Sequence, residues 1–180
     1  ADPYSKPLAD RPVGRTRIGV PRRAQRLWFG DAESEYLYNR ALEKLGALGE
    51  IVEIDTAPLQ EAAQLLYGGP WVAERTAAIA GLLASDPDAI DETVRKVVEP
   101  GGDIGAVELF NGIYRLAALK RQADQMWDAI DVLAFPTTGT TYRVAELLAA
   151  PIALNSNLGA YTNFVNLLDM AAVAVPAGAR

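Results

Sequence analysis

An α/β fold is predicted for this chain by three observations. Two short apolar runs, "RIGVP" (17–21) and "EIVEID" (50–55), flank the helical stretch "GDAESEYLYNRALEKLGALGE" (30–50). That β–α–β order points to a parallel, layered arrangement of strands and helices. A third apolar run, "DVLAFP" (131–136), follows the longest helical stretch. Half of the 180 residues are apolar and 22% are charged, which is enough to build the core of one domain or of one large piece of a bigger one.

The elements follow in order. Residues 1–16 hold Pro3, Pro7 and Pro12 among alternating charges and read as an extended linker or surface arm. In the first helix Asp31 is the N-cap, Glu33 and Glu35 complement the helix dipole in the first turn, and Gly49 is the stop. Leu37, Ala41, Leu45 and Leu48 form its apolar stripe. Residues 58–84 are helical apart from a Gly68-Gly69-Pro70 break. Asp86-Pro87 opens another helix, with proline in the first turn. From Asp103 to about Ala129, Val107, Phe110, Tyr114, Ala117, Arg121, Ala123 and Trp127 lie broadly along one side of a long helix. "DVLAFP" is a fully buried strand ended by Pro136, "TTGTT" (137–141) a polar loop, and "RVAELLAA" (143–150) a short helix. "AAVAVPAG" (171–178) reads as a last buried strand. A chain that stops straight after such a strand reads as a fragment.

Composition narrows the chemistry. With 23 acids against 17 bases the net charge of −6 repels a phosphate backbone, so no nucleic-acid partner is expected. No apolar run approaches the length of a membrane span, and no membrane partner is expected either. The chain has no cysteine, which fits a reducing compartment, and a cytoplasmic location is expected. It has no histidine, the commonest general base near neutral pH. Ser5, Ser34, Ser85 and Ser156 lie in no G-x-S-x-G or S-x-x-K pattern, and there is no P-loop. Lys44 and Lys96 sit among charges on helix faces. "DPDAID" (86–91) resembles a calcium loop only faintly and lacks the twelfth-position glutamate, so neither metal nor cofactor is expected. The chain alone carries no catalytic set.

Three stretches remain. In "YGGPWVAER" (67–75), Arg75 stands among Trp71, Val72, Ala78 and Ile79 with no acid three or four residues away. Such a charge either snorkels to solvent, pairs with a distant acid, or grips a ligand carboxylate with two parallel hydrogen bonds. In "FNGIYR" (110–115), Asn111 and Arg115 share a helix face, which suits a structural polar contact. "NSNLGAYTNFVN" (155–166) crowds Asn155, Asn157, Thr162, Asn163 and Asn166 around Tyr161, either as turn and cap residues or as a polar pocket wall.

Together, "LLYGGPWVAER", "FNGIYRLA", "DVLAFPT", "LNSNLGAYTNFVNLLDM" and "AVPAG" resemble, in order, the second half of the amidase domain of allophanate hydrolases, a branch of the amidase signature family. The similarity runs from about Arg17 to Ala177. It implies that residues 17–180 are the C-terminal part of an α/β/α layered domain with a mixed sheet flanked by helices. It also implies a Ser–cis-Ser–Lys triad in a Gly/Ser-rich segment that this sequence does not contain, so no catalytic role passes to any residue here. What passes over is substrate recognition. Arg75 is expected on the carboxylate of allophanate and Tyr67 beside it, hydrogen-bonding the substrate, with Asn163 a further candidate. The expected partners are that small-molecule substrate, the remainder of the amidase domain and, through apolar helices such as 58–84, a second copy in a homodimer. Alternative parents are another amidase-signature amidase or an amidotransferase subunit. A third reading is a non-catalytic α/β binding domain complete in itself.

Overall fold

The structure is a computed structural model that describes residues 15–178. Most of the arm expected over residues 1–16 therefore lies outside the described residues; Thr16 already begins a strand. Strand β1 (Thr16–Pro21) is the centre of a three-stranded sheet, flanked by β2 (Gly49–Ile54) and β3 (Val132–Leu133), both parallel to it. Residues Ile18 to Pro21 are buried, as expected of a strand covered on both faces. Among the described residues the sheet is wholly parallel, where the resemblance implied a mixed one.

Helix α1 (Ala32–Leu48) makes the β1–β2 crossover. Its cap is the one expected, since the Asp31 carboxylate accepts from Ser34 N. Gly49 ends the helix and enters β2 directly in extended conformation. The buried residue of α1 is Tyr38, whose hydroxyl donates to the Ala134 carbonyl at 2.7 Å, whereas Leu48 of the expected stripe is 76% exposed. Leu48 sits on the last turn, where the chain is already leaving for the sheet.

Helices α2 (Ala57–Tyr67) and α3 (Trp71–Ser85) are divided by the Gly-Gly-Pro break as expected. Asp86 caps the end of α3, and Pro87 then begins a 3-10 turn over Pro87–Ala89. The next helix, α4 (Glu92–Val98), starts only at Asp91, which accepts from Thr93 N and Val94 N. The expectation of a helix opening at Asp86-Pro87 is thus corrected: the nearer cap, with two amides satisfied, sets the start. Asp88 of the faint calcium pattern pairs with Arg95 at 3.1 Å.

The long helix α5 (Ala106–Asp124) carries the largest correction. Of the residues read along one side, Val107, Phe110 and Tyr114 are 76%, 54% and 66% exposed, whereas Ala123 is buried. The inward face is Leu109, Gly112, Leu116, Leu119 and Ala123, small and apolar residues at steps of three and four. Leu119 and Ala123 join Leu59, Ala62 and Ala63 of α2 and Phe164 and Leu168 in the main core. Three short helices complete the chain: α6 (Val144–Ala149), α7 (Pro151–Leu158) and α8 (Asn163–Leu167). Two expected buried strands are corrected. β3 is two residues long with Val132 44% exposed, because it is an edge that meets only β1. Residues 171–178 form no strand, and Val173 and Val175 are 85% and 73% exposed; an extended segment needs a neighbouring strand for its amides, and the described residues offer none.

Candidate functional site

The site begins with a corner. Helix α2 ends at Tyr67, and the chain turns through Gly68, Gly69 and Pro70 into α3. Gly69 is required there by space, because a Cβ would come within 2.9 Å of the Leu65 backbone. Pro70 is buried and supplies a first-turn φ of −71° for α3. Its ring rests on Gly112 of α5, where a Cβ would lie 2.1 Å from Pro70 Cγ. Two of the sequence stretches, "YGGPWVAER" and "FNGIYR", therefore meet at one contact.

Across this corner the Arg75 guanidinium lies over the Tyr67 ring, 4.9 Å from its centroid. The attraction of a cation for the ring face is worth about 0.5–1 kcal/mol where solvent has access. Tyr67 is half exposed and Arg75 is intermediate, so both reach solvent from one side. Among the described residues eight ion pairs are formed across the fold, and none of them involves Arg75. The distant acid that a structural role would need is not at hand. The guanidinium therefore has a ring beside it and no paired acid among the described residues. A guanidinium in that state can offer parallel N–H donors to a planar carboxylate.

The other named residues have structural partners. Arg115 grips both carboxylate oxygens of Glu61 on α2, the Nε contact being 2.5 Å, as a structural polar contact would. Asn157 donates to the Tyr142 hydroxyl at 2.7 Å, and the buried Tyr161 binds the Leu27 backbone. Asn163 opens α8 with its side chain against Gly159, where a Cβ would come within 2.5 Å of Asn163 Oδ1. No hydrogen bond joins Asn163 to Tyr67 or Arg75 among the described residues. The structure thus brings Tyr67 and Arg75 together and leaves Asn163 on another helix. Ser156 donates to the Ile152 carbonyl, and Lys120 is held by Asp124 and the Leu168 carbonyl.

An open groove of about 240 Å³ lies beside the corner, lined by Pro70, Trp71, Glu74, Leu109 and Ile113. Its walls are apolar with one carboxylate, which suits an apolar group and would repel an anion. Arg75 is not among its lining residues, so the groove and the cation are separate features. Trp71 and Gly112 have no role in the sequence reading; a glycine inside a helical pattern was the available signal for a close approach.

No protein-family model matches the chain. It is 36% identical to urea amidolyase of Saccharomyces cerevisiae and 38% identical to urea amidolyase of Lachancea kluyveri, in both cases over 99% of this chain. The chain spans about a tenth of the length of these curated relatives. Among solved structures, Kluyveromyces lactis urea amidolyase superimposes with a TM-score of 0.87 at 36% identity, over 91% of this chain and 10% of that one. A serine-to-alanine variant of Kluyveromyces lactis allophanate hydrolase gives a TM-score of 0.87 at 36% identity, over 92% of this chain and 27% of that one. Nearly the whole chain is thus homologous to one segment of urea amidolyases and shares the backbone fold of the matching segment of an allophanate hydrolase.

Proposed function

We propose that this chain is the substrate-holding part of an allophanate hydrolase in urea degradation, and that Arg75 and Tyr67 form the clamp for the substrate's carboxylate. Allophanate is a urea unit bearing one carboxylate. Arg75 offers two parallel N–H donors to that carboxylate, while the Tyr67 ring fixes the plane of the guanidinium and its hydroxyl reaches the urea portion. Water then cleaves the terminal amide, releasing ammonia and a dicarboxylated amine that breaks down to carbon dioxide and a second ammonia. The nucleophile comes from the remainder of the amidase domain, and this chain by itself is inactive. The supporting observation is the cation at 4.9 Å over the Tyr67 ring with no acid paired to it among the described residues.

The remainder of the amidase domain is also the partner that covers the exposed apolar surface: the Val107–Phe110–Tyr114 face of α5 and the segment 171–178. In this reading the small parallel sheet is one part of a larger α/β/α layered domain. The relatives, some ten times longer than the chain, are consistent with it.

Steady-state kinetics of the full-length enzyme test the clamp. Arg75→Ala is expected to raise KM for allophanate by about 30-fold or more, the loss of a charge-assisted contact of about 2–4 kcal/mol. An unchanged KM removes the role from Arg75. Amides that lack a carboxylate are expected to be poor substrates for the wild-type enzyme and to lose little in the variant.

A further inference from the structure

We propose that Gly112 and Pro70 are positioning residues for the clamp: the Pro70 ring seated on Gly112 sets the angle at which α3 leaves α2, and that angle brings Arg75 over Tyr67. The inference rests on the carboxylate-clamp reading and extends it to two residues that touch no substrate.

Tyr67 and Arg75 belong to different helices, so their 4.9 Å stacking depends on the direction of the chain between them. Gly68 donates to the Gln64 carbonyl at 3.0 Å and Gly69 lies against Leu65, which ties the corner to the end of α2. Its direction is also held from outside. On one side α2 is fastened to α5 by the Glu61–Arg115 pair and by Leu59, Ala62 and Ala63 against Leu119 and Ala123. On the other side three Pro70 atoms, Cγ, Cδ and Cβ, crowd the missing side chain of Gly112 at 2.1, 3.0 and 3.3 Å. A proline ring has no rotamer to retreat into. Any side chain at 112 must push the corner, and with it the first turn of α3, away from α5. One helical turn further on stands Arg75, at the fifth residue of α3. A displacement of about 1 Å at that distance is enough to spoil a bidentate contact and cost about a hundredfold in binding or rate.

The test uses the full-length enzyme, with Arg75→Ala as reference. Gly112→Ala is expected to raise KM for allophanate about tenfold while kcat changes by less than about threefold. Pro70→Ala removes the ring, loosens the corner and is expected to raise KM about threefold. The Pro70→Ala/Gly112→Ala double variant is expected to match Pro70→Ala alone, because the added methyl then has room; independent effects would multiply to about thirtyfold. A purely structural glycine would lower melting temperature and kcat without this KM pattern. Should Gly112→Ala fail to fold, Pro70→Ala and the double variant carry the test, and KM within about twofold of wild type in both overturns the proposal. If Arg75→Ala raises KM and these variants do not, the positioning role falls and the clamp stands. If Arg75→Ala leaves KM unchanged, clamp and positioning role fall together.

Discussion

The Tyr161 hydroxyl holds both ends of one peptide residue: it accepts the Leu27 N–H at 2.6 Å and donates to the Leu27 carbonyl at 3.2 Å. The two residues are 134 positions apart, so this contact closes the C-terminal polar stretch onto the segment before α1. That segment is tightly shaped, with Phe29 and Gly30 at φ of 51° and 84° and Gly139 seated against the Leu27 carbonyl. The Tyr161 ring meets Trp28 and Phe135, and Phe135 in turn meets Phe164 of the main core.

Tyr161→Phe keeps the ring contacts and removes the hydroxyl. It leaves a part-buried N–H without its partner, and a stability loss of about 1–3 kcal/mol is expected. Urea denaturation read by tyrosine and tryptophan fluorescence measures it. A loss below about 0.5 kcal/mol would show that solvent replaces the hydroxyl freely.

Two tyrosines give the fold an alkaline limit. Burial pushes Tyr38 and Tyr161 above the ordinary phenol value of 10, against smaller opposing effects that include the nearby Arg26 charge. Both bind their proton more tightly folded than unfolded, so their contribution is fully present below pH 10 and falls as pH rises beyond it. Denaturation midpoints are expected to be level from pH 8 to about 9.5 and to decline above 10. The decline is expected to be shallower in Tyr161→Phe, which has lost one of the two groups.

Two glycines near the site respond in opposite directions to the same change. Gly101 is buried against α3, where a Cβ would lie 2.2 Å from Thr76 Oγ1 and 2.5 Å from the Val72 carbonyl oxygen. Thr76 cannot give way cheaply, since its hydroxyl bonds the Val72 and Val98 carbonyls. Gly101→Ala is expected to destabilise by about 1–3 kcal/mol. Gly81 stands within α3 with nothing inside 4 Å of its missing Cβ, so Gly81→Ala is expected to stabilise by about 0.5–1 kcal/mol. Thermal melts of the two variants beside wild type check both signs.

What was legible in the sequence was local. The Asp31 cap, the β1–α1–β2 order and the Gly-Gly-Pro break rest on neighbouring residues, and each is found. The face of α5 was not legible, because that helix carries two apolar stripes. The one with the larger side chains, Val107, Phe110 and Tyr114, is the exposed one, and the inward one is marked partly by Gly112, which has no side chain to read. The segment 171–178 has strand composition, but a strand is a relation to a neighbour, which composition does not supply. Arg115 was readable only as a polar residue in need of a contact, since its partner Glu61 is 54 residues away. For Arg75 the sequence showed a cation without a nearby acid; its stacking on Tyr67 across a break is tertiary and needed the fold.

The two parts of Tyr67 have separable roles. Its ring supports the Arg75 guanidinium, and its hydroxyl is proposed to hydrogen-bond the substrate. Tyr67→Phe retains the ring and deletes the hydrogen bond, so KM for allophanate is expected to rise about three- to tenfold, the equivalent of about 0.5–1.5 kcal/mol. Tyr67→Ala deletes the ring as well, which frees the guanidinium and removes about 0.5–1 kcal/mol of cation–ring attraction. Its KM is therefore expected to exceed that of Tyr67→Phe by a further two- to fivefold, about the same energy expressed as affinity. Kinetics of both variants in an Arg75→Ala background complete the cycle. There the difference between Phe and Ala at position 67 is expected to vanish, because the ring has no cation left to orient. A Tyr67→Phe enzyme with wild-type KM would confine Tyr67 to stacking, and a Phe–Ala difference that persists without Arg75 would mean that the ring meets the substrate directly.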